Sequence, residues 1–253
     1  MLLDGKDGEV LRTENLTVGY GGEPTLVRVS LSVDKGEIVT VLGTSGCGKS
    51  TLLKCLVGLL SPIEGSVFLF GKNVTIEGFT LDVRLKMGVL FQASGLIGSL
   101  SLYENVALPL REHTAWPEDW INDMVYEKLR TVGLEGYANY LPSELSGGMK
   151  KRAGLARALV MDPPLLFCDE PLAGLDPITA SEIDHLLLDL NRNLGITMVV
   201  VTHELSSIER ISDRCIMLDR SVRGILATGT VEELKEHENP IVRAFFARGR
   251  LKT

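Results

Sequence analysis

Residues 27–33, VRVSLSV, alternate apolar and polar side chains without a break, the period of a strand with one face on a core and the other in solvent. This predicts a half-buried strand of an antiparallel sheet. Residues 38–42, IVTVL, are instead apolar almost throughout, as in a strand covered on both faces. That run leads directly into GTSGCGKST and then LLKCLVG at helical spacing, so strand, glycine-rich loop and helix follow in order. Two further runs, LLFCDE (165–170) and ITMVVVTHE (196–204), have the same buried-strand character. Between them Ile183, Leu186, Leu187, Leu190 and Leu194 fall on one helical face. Buried strands alternating with amphipathic helices predict an α/β core with a parallel sheet.

From Gln92 to about residue 160 the pattern turns helical, punctuated by Pro109, Pro117 and Pro142 and without sustained heptads. This predicts a helical subdomain inserted in the core. After Asp213, CIMLD and GILAT read as two edge strands. The expected organisation is one domain over residues 1–253. Its core takes about 8–91 and 161–230, with an antiparallel β subdomain at the N-terminal side; the helical subdomain takes about 92–160, and a C-terminal helix and basic tail about 231–253. The tail carries Arg243, Arg248, Arg250 and Lys252 with no acid, next to an apolar patch of Ile241, Val242, Phe245 and Phe246. That patch is expected either to pack on its own domain or to dock on a partner.

With 253 residues, 45% apolar and 23% charged, the chain can bury a large core, which excludes a disordered or fibrous class. No stretch approaches the roughly 18 to 20 apolar residues of a bilayer span. The first residues, MLLDGKDGEVLRTE, carry acids where a signal peptide needs a basic and then an apolar region, so a cytoplasmic location is expected. Cys47, Cys55, Cys168 and Cys215 form no CxxC pair, against a zinc site or disulfide framework. Twenty-six basic against thirty-three acidic side chains leave a net charge of −7, which removes the general attraction to phosphate backbones, and no nucleic-acid partner is expected.

Gly43, four residues, Gly48, Lys49 and Ser50 fit the phosphate-loop pattern G-x-x-x-x-G-K-[ST]. Glycines let backbone N–H groups of the loop, Gly43, Thr44, Ser45, Gly46, Cys47 and Gly48, converge on a polyphosphate, and the following helix, through Lys49, Ser50 and Thr51, adds its positive end. Lys49 is placed to reach the β- and γ-phosphates of a nucleoside triphosphate and Ser50 to hold Mg²⁺. Cys47, inside the loop, is expected to be a reactive thiol if the N–H groups and Lys49 lower its pKa, and an inert one if it turns into the core. Asp169 and Glu170 close a buried strand; a carboxylate there can order Mg²⁺ through water, and its neighbour can orient or deprotonate the attacking water, although acids also cap strand ends into solvent. Ser146, Gly147 and Gly148 open a predicted helix, either as a second anion site or as an ordinary N-cap.

Together these residues resemble the nucleotide-binding subunit of an ABC transporter over residues 10–230. Tyr20 matches the adenine-stacking aromatic, GTSGCGKST the Walker A loop, Gln92 the Q-loop, Leu145–Met149 the signature and LLFCDE the Walker B strand. Ala173–Asp176 matches the D-loop and His203 the switch histidine. The resemblance implies a P-loop NTPase core of ABC type and catalytic roles for Glu170, His203, Gln92, Lys49 and Asp176. It also implies Mg²⁺ contacts by Ser50, Gln92 and Asp169, and a head-to-tail homodimer in which the Walker A loop of one chain and Ser146–Gly148 of the other sandwich ATP. The signature ends in Met149 where most members have Gln, and AGLD replaces the commoner SALD.

LSGGMKKRAGLARAL, DEPLAGLDPIT and VLFQASGLIGSLSLYENVALPLREHT are similar to the ATPases of Mla/MCE-type transporters, which move phospholipids or other hydrophobic molecules. This implies attachment to the cytoplasmic face of the inner membrane through an integral permease, with an MCE-domain protein and a small STAS-domain protein as further partners. Leu96, Ile97, Leu100 and Leu102, just past Gln92, are the expected seat of a permease helix. The alternatives are an importer ATPase for amino acids or other small polar solutes and, from another class, an ABC-type nucleotide switch such as a cell-division regulator.

Overall fold

The computed structural model describes residues 8–247. Among the described residues ten strands and ten α-helices follow in chain order. The first half holds β1 (Glu9–Tyr20), β2 (Glu23–Asp34), β3 (Ile38–Gly43), α1 (Lys49–Leu56), β4 (Glu64–Leu69), β5 (Lys72–Asn73), α2 (Val74–Glu77), α3 (Leu81–Leu85), β6 (Met87–Leu90), α4 (Leu102–His113) and α5 (Glu118–Thr131). The second holds α6 (Gly147–Leu159), β7 (Leu165–Asp169), α7 (Pro177–Leu194), β8 (Thr197–Val201), α8 (Leu205–Ile211), β9 (Arg214–Asp219), β10 (Gly224–Gly229), α9 (Val231–Lys235) and α10 (Pro240–Ala247).

Two sheets result, a four-stranded one in the order β2-β1-β4-β5, antiparallel throughout, and a six-stranded one in the order β10-β9-β3-β8-β7-β6. In the second, β9, β3, β8, β7 and β6 run parallel and β10 pairs antiparallel with β9. The expected antiparallel subdomain and parallel core are both present. The expectation of two edge strands after Asp213 holds only for β10. β9 lies between β10 and β3 and its last five residues are buried.

Alternation along the parallel strands explains why their sequences are continuously apolar. Leu165 and Phe167 of β7 and Val199 and Val201 of β8 face one core, shared with Leu52, Leu53 and Leu56 of α1 and with Leu16, Val18 and Leu26 of the antiparallel sheet. Leu166, Cys168, Met198 and Val200 face the opposite way, into a core shared with α4, α5, α6 and α7. With an apolar layer on each side these strands are apolar at most positions, and buried Thr40 and Thr197 find hydrogen-bond partners in Ser212 and Gly36 N–H. The segment between residues 92 and 160 is helical apart from loops and 3₁₀ turns, as its sequence predicts, and Leu102, Val106, Leu110, Val125 and Leu129 join the second core. In α7, Ile183, Leu187 and Leu190 are buried as the helical face predicts, whereas Leu194 ends up exposed.

Val242 and Phe246 of α10 are buried in a third cluster with Leu42, Ile208, Cys215, Met217 and Leu234. Of the C-terminal apolar patch, Val242, Phe245 and Phe246 therefore pack on their own domain, and Ile241 is exposed. Arg248, Arg250 and Lys252 lie outside the described residues.

Asn105, fully buried in α4, fastens the loop that leads into this helix. Its Oδ1 accepts from Ile97 N–H at 2.7 Å, and its Nδ2 lies 3.1, 3.0 and 2.9 Å from the carbonyl oxygens of Ile97, Leu100 and Ser101. Truncation removes this partner from the backbone groups of Ile97, Leu100 and Ser101, at about 1–3 kcal/mol for each buried group left unmade. Asn105→Ala is expected to lose about 3 kcal/mol of unfolding free energy, read as a lower urea midpoint with an unchanged m-value.

Candidate functional site

The C-terminal ends of β3, β8, β7 and β6 lie side by side, the edge where parallel α/β sheets bind ligands. A cleft of about 600 Å³ opens there. It is lined by Gly43, Thr44, Ser45, Gly46, Gly48, Lys49, Ser50 and Thr51 from the loop and α1, Gln92 from beyond β6, Glu170 from the end of β7, His203 from beyond β8, and Thr25, Leu205 and Phe245. Eleven of these fourteen come from the residues that sequence assigned to the site.

Local structure follows from the loop's glycines. Gly48 sits at φ 109°, and a Cβ there would lie 2.7 Å from Cγ of Leu26, so a side chain is refused on both counts. The loop then feeds α1, whose first residue, Lys49, is buried and folds back so that its Nζ donates to the carbonyls of Gly43 at 2.9 Å and Thr44 at 3.3 Å. That leaves the ammonium at the centre of the loop, where a polyphosphate would take over its hydrogen bonds.

Ser50 Oγ donates to Asp169 Oδ1 at 3.3 Å. Asp169 is nearly buried, and burial pushes its carboxyl above the ordinary range, with Ser50 pulling the other way. Glu170 follows with φ 47°, a left-handed conformation that a glutamate adopts only under constraint. The turn is held on three sides. Glu170 N–H donates to Val201 O at 2.8 Å, its carbonyl accepts from Lys151 Nζ at 3.0 Å, and its Oε1 accepts from His203 Nδ1–H at 2.8 Å. His203 itself is more than half exposed, on the rim of the cleft. A carboxylate oriented by a histidine beside a phosphate loop can hold a water in line with a phosphorus and accept its proton.

Other sequence-assigned residues lie elsewhere. Tyr20 ends β1 as a half-exposed ring near Lys54, whose Nζ is 3.4 Å from its hydroxyl, and it does not line the cleft. Asp176 is the N-cap of α7. It accepts from the N–H groups of Ile178 at 3.0 Å and Thr179 at 3.1 Å, and Thr179's hydroxyl, which also donates to it, does most to hold its carboxyl below the usual range. Ser146 caps α6 by accepting from Met149 N–H at 3.3 Å. Gly148 packs against Thr179 where a Cβ would collide with that methyl, and a Cβ at Gly147 would touch Leu175. The first turns of α6 and α7 therefore rest on each other, outside the chain's own cleft.

Cys47 corrects the expectation of a reactive thiol. Its backbone belongs to the loop, but its side chain is buried on the α1 core and is not part of the lining. Burial pushes the thiol up, and Lys49 does not compensate. Burial also raises Cys55 and Cys215 to about 11 and Cys168 to about 12. Among Leu96, Ile97, Leu100 and Leu102, the expected permease seat, Leu102 is core, Leu96 packs on the core and only Ile97 is exposed. Lys151, Leu205 and Thr25 were not singled out by sequence. Lys151 stands in a run of two lysines that reads as a solvated helix face, and only folding shows that one of the pair is buried.

The model of the ABC transporter family matches residues 26–173, more than half the chain. A probable ribonucleotide transport ATP-binding protein, mkl, of Mycobacterium leprae is 42% identical over 94% of this chain and 69% of its own length. The ATP-binding protein MlaF of the intermembrane phospholipid transport system of Haemophilus influenzae is 41% identical over 91% of this chain and 87% of its own. Among solved structures, cbiO1 of Clostridium perfringens, part of the ABC transporter complex cbiONQ, superposes with a TM-score of 0.81 at 30% identity, covering 96% of this chain and 97% of its own. The dimeric ATP-binding cassette MJ0796 in a post-hydrolysis state with ADP and Pi gives 0.78 at 33%, covering 87% and 98%. The chain belongs to the ABC transporter family, as an ATP-binding and ATP-hydrolysing subunit.

All four thiols are expected to resist an excess of iodoacetamide in the folded protein, with ATPase activity retained, and to react together once urea unfolds the chain. Labelling is counted by intact mass.

Proposed function

We propose that this chain is the ATPase of a transporter for phospholipids or related hydrophobic molecules. It would work as a head-to-tail homodimer beneath an integral permease, on the cytoplasmic face of the inner membrane. The observation that carries the dimer is the separation of two anion-seeking helix N-termini. That of α1 lines the cleft, and that of α6, with exposed Ser146 and Gly147, stands outside it beside α7. A second copy turned head to tail supplies Ser146–Gly148 and Asp176 to the nucleotide held by Lys49, which gives both a role that one chain alone leaves unused. Tyr20, at the end of β1 outside the cleft lining, is the proposed stacking partner of the adenine.

Ser50 and Asp169 offer a hydroxyl and a carboxylate oxygen, hard donors suited to Mg²⁺, with Gln92 nearby on the rim. Among the described residues no cluster of three His, Cys, Asp or Glu side chains could hold a metal, which suits an ion held largely by nucleotide phosphates and water. When bound, Mg²⁺ neutralises charge on the β- and γ-phosphates. Glu170 orients the attacking water and takes its proton, His203 steadies the carboxylate through Nδ1, and Lys49 stabilises the developing phosphate charge. Among the described residues no helix is long and apolar enough to cross a membrane, so force reaches the bilayer through the permease. Support for the lipid cargo is the identity of about 40% with phospholipid transport subunits over most of both chains. An MCE-domain protein and a STAS-domain protein complete the proposed assembly. The name of the mycobacterial relative points instead to ribonucleotides, a polar cargo.

Glu170→Gln is expected to bind ATP with near wild-type affinity, to lose about 10²- to 10⁴-fold in kcat, and to elute as an ATP-dependent dimer; wild-type turnover would remove Glu170 from its role. Ile97→Asp is expected to keep basal hydrolysis and lose the stimulation that the copurified permease gives. Mass spectrometry of the complex should find phospholipid. A complex that moves ribonucleotides or another polar solute and holds no specific lipid overturns the cargo.

A further inference from the structure

Among the described residues Lys151 is one of three buried lysines, 5% exposed, and no carboxylate pairs with it. Its Nζ donates instead to two main-chain carbonyls, that of Gln92 at 2.6 Å and that of Glu170 at 3.0 Å. These two residues stand just past the ends of β6 and β7, which pair in parallel, so one ammonium ties together the two strand ends that carry the Q-loop glutamine and the proposed general base. Burial disfavours the charge, and neighbouring Cys168, Asp169 and Glu170 favour it. Charge-assisted hydrogen bonds of this kind are about twice as strong as neutral ones.

The carbonyl at Glu170 belongs to the residue with φ 47°, and a left-handed glutamate persists only where its surroundings hold it. Val201 O fixes the N–H side of that residue and Lys151 the carbonyl side. The side chain therefore leaves the backbone in the direction that brings Oε1 to His203. Lys151 sits on α6, about one and a half turns from Ser146 at the helix start. The helix that presents the signature serine thus grips the catalytic turn of its own chain.

We propose that Lys151 is a positioning residue for hydrolysis. By holding the carbonyls of Gln92 and Glu170 it sets the direction of the Glu170 carboxylate and ties that direction to the position of the signature helix. This rests on the assignment of Glu170 as the base and of the ATP-bound dimer. Lys151 is not itself part of the cleft lining and reaches it only through the carbonyls of Gln92 and Glu170, so its loss acts on turnover and spares nucleotide affinity.

The test uses the full-length protein with Lys151→Met, which keeps length and removes the charge, Lys151→Gln, and Lys151→Arg, which keeps donors and charge. Steady-state ATPase kinetics, binding of a fluorescent ATP analogue and thermal melting are measured for each. Lys151→Met and Lys151→Gln are expected to lower kcat about 10- to 100-fold, the range for a catalytic group displaced by an ångström or so. KM and analogue affinity should stay within about twofold. Lys151→Arg should recover most of kcat. In the Glu170→Gln background, Lys151→Met should still give the ATP-dependent dimer. Wild-type kcat in Lys151→Met, a parallel fall of kcat, affinity and melting temperature in all three variants, or loss of the dimer in the double variant overturns the proposal. Failure of Glu170→Gln alone to form the dimer would instead strike the proposed function, a distinguishable result.

Discussion

The end of β3 is the point on which the rest of the structure depends, because a polyphosphate can be gripped by bare backbone N–H groups only where the chain turns tightly and no Cβ intervenes. Gly48 meets that demand at φ 109°, pressed against Leu26. Leu26 belongs to β2, so the antiparallel sheet must pack down on the loop to hold it in shape, and the shared core of Leu16, Val18, Leu26, Leu52 and Leu53 does this. The small sheet acts as the backing of the phosphate loop and adds Thr25 to the cleft lining. The same packing turns the Cys47 side chain inward while leaving its backbone in the loop.

Sheet order then assembles the remaining chemistry. Because β3, β8 and β7 are adjacent and parallel, Lys49, His203 and Glu170 emerge at one edge although they are far apart in the chain. β6 adds Gln92 beside them. The hydrogen bonds that refine this edge join strand ends to one another and to the start of α1: Ser50 to Asp169, His203 to Glu170, Glu170 N–H to Val201. Each joins groups delivered by neighbouring elements, so the geometry of the site is a property of strand order more than of any one loop.

This also accounts for what the sequence disclosed. β2, β3, β7, β8 and α7 were legible because burial on one face or two writes itself directly into hydrophobic periodicity, and the phosphate loop because its glycines are demanded locally. β1 escaped notice. Its pairing shifts register around Asn15, at φ 47°, and Leu16, Thr17 and Val18 are buried in succession, which destroys the alternation. β9 was legible as a strand, but its place inside the sheet depends on a pairing with β3, more than 170 residues earlier in the chain. The arrival of Phe245 at the cleft depends likewise on α10 folding back over Leu42 and Met217. No local pattern encodes such encounters.

The two departures from the commoner family pattern are readable in the same terms. Met149 takes the place of a polar residue in the signature, yet its side chain is partly buried against the helical core, and its contribution to the helix start is the N–H that Ser146 accepts from, which any residue supplies. Ala173 lies in the turn before α7, whose capping is done by Asp176 alone among the side chains there. Both changes leave the two abutting helix N-termini, with Gly148 against Thr179, as they are. The anion-binding capacity of a helix start resides in its backbone, so side chains beside it can drift with the subfamily while the electrostatics persist.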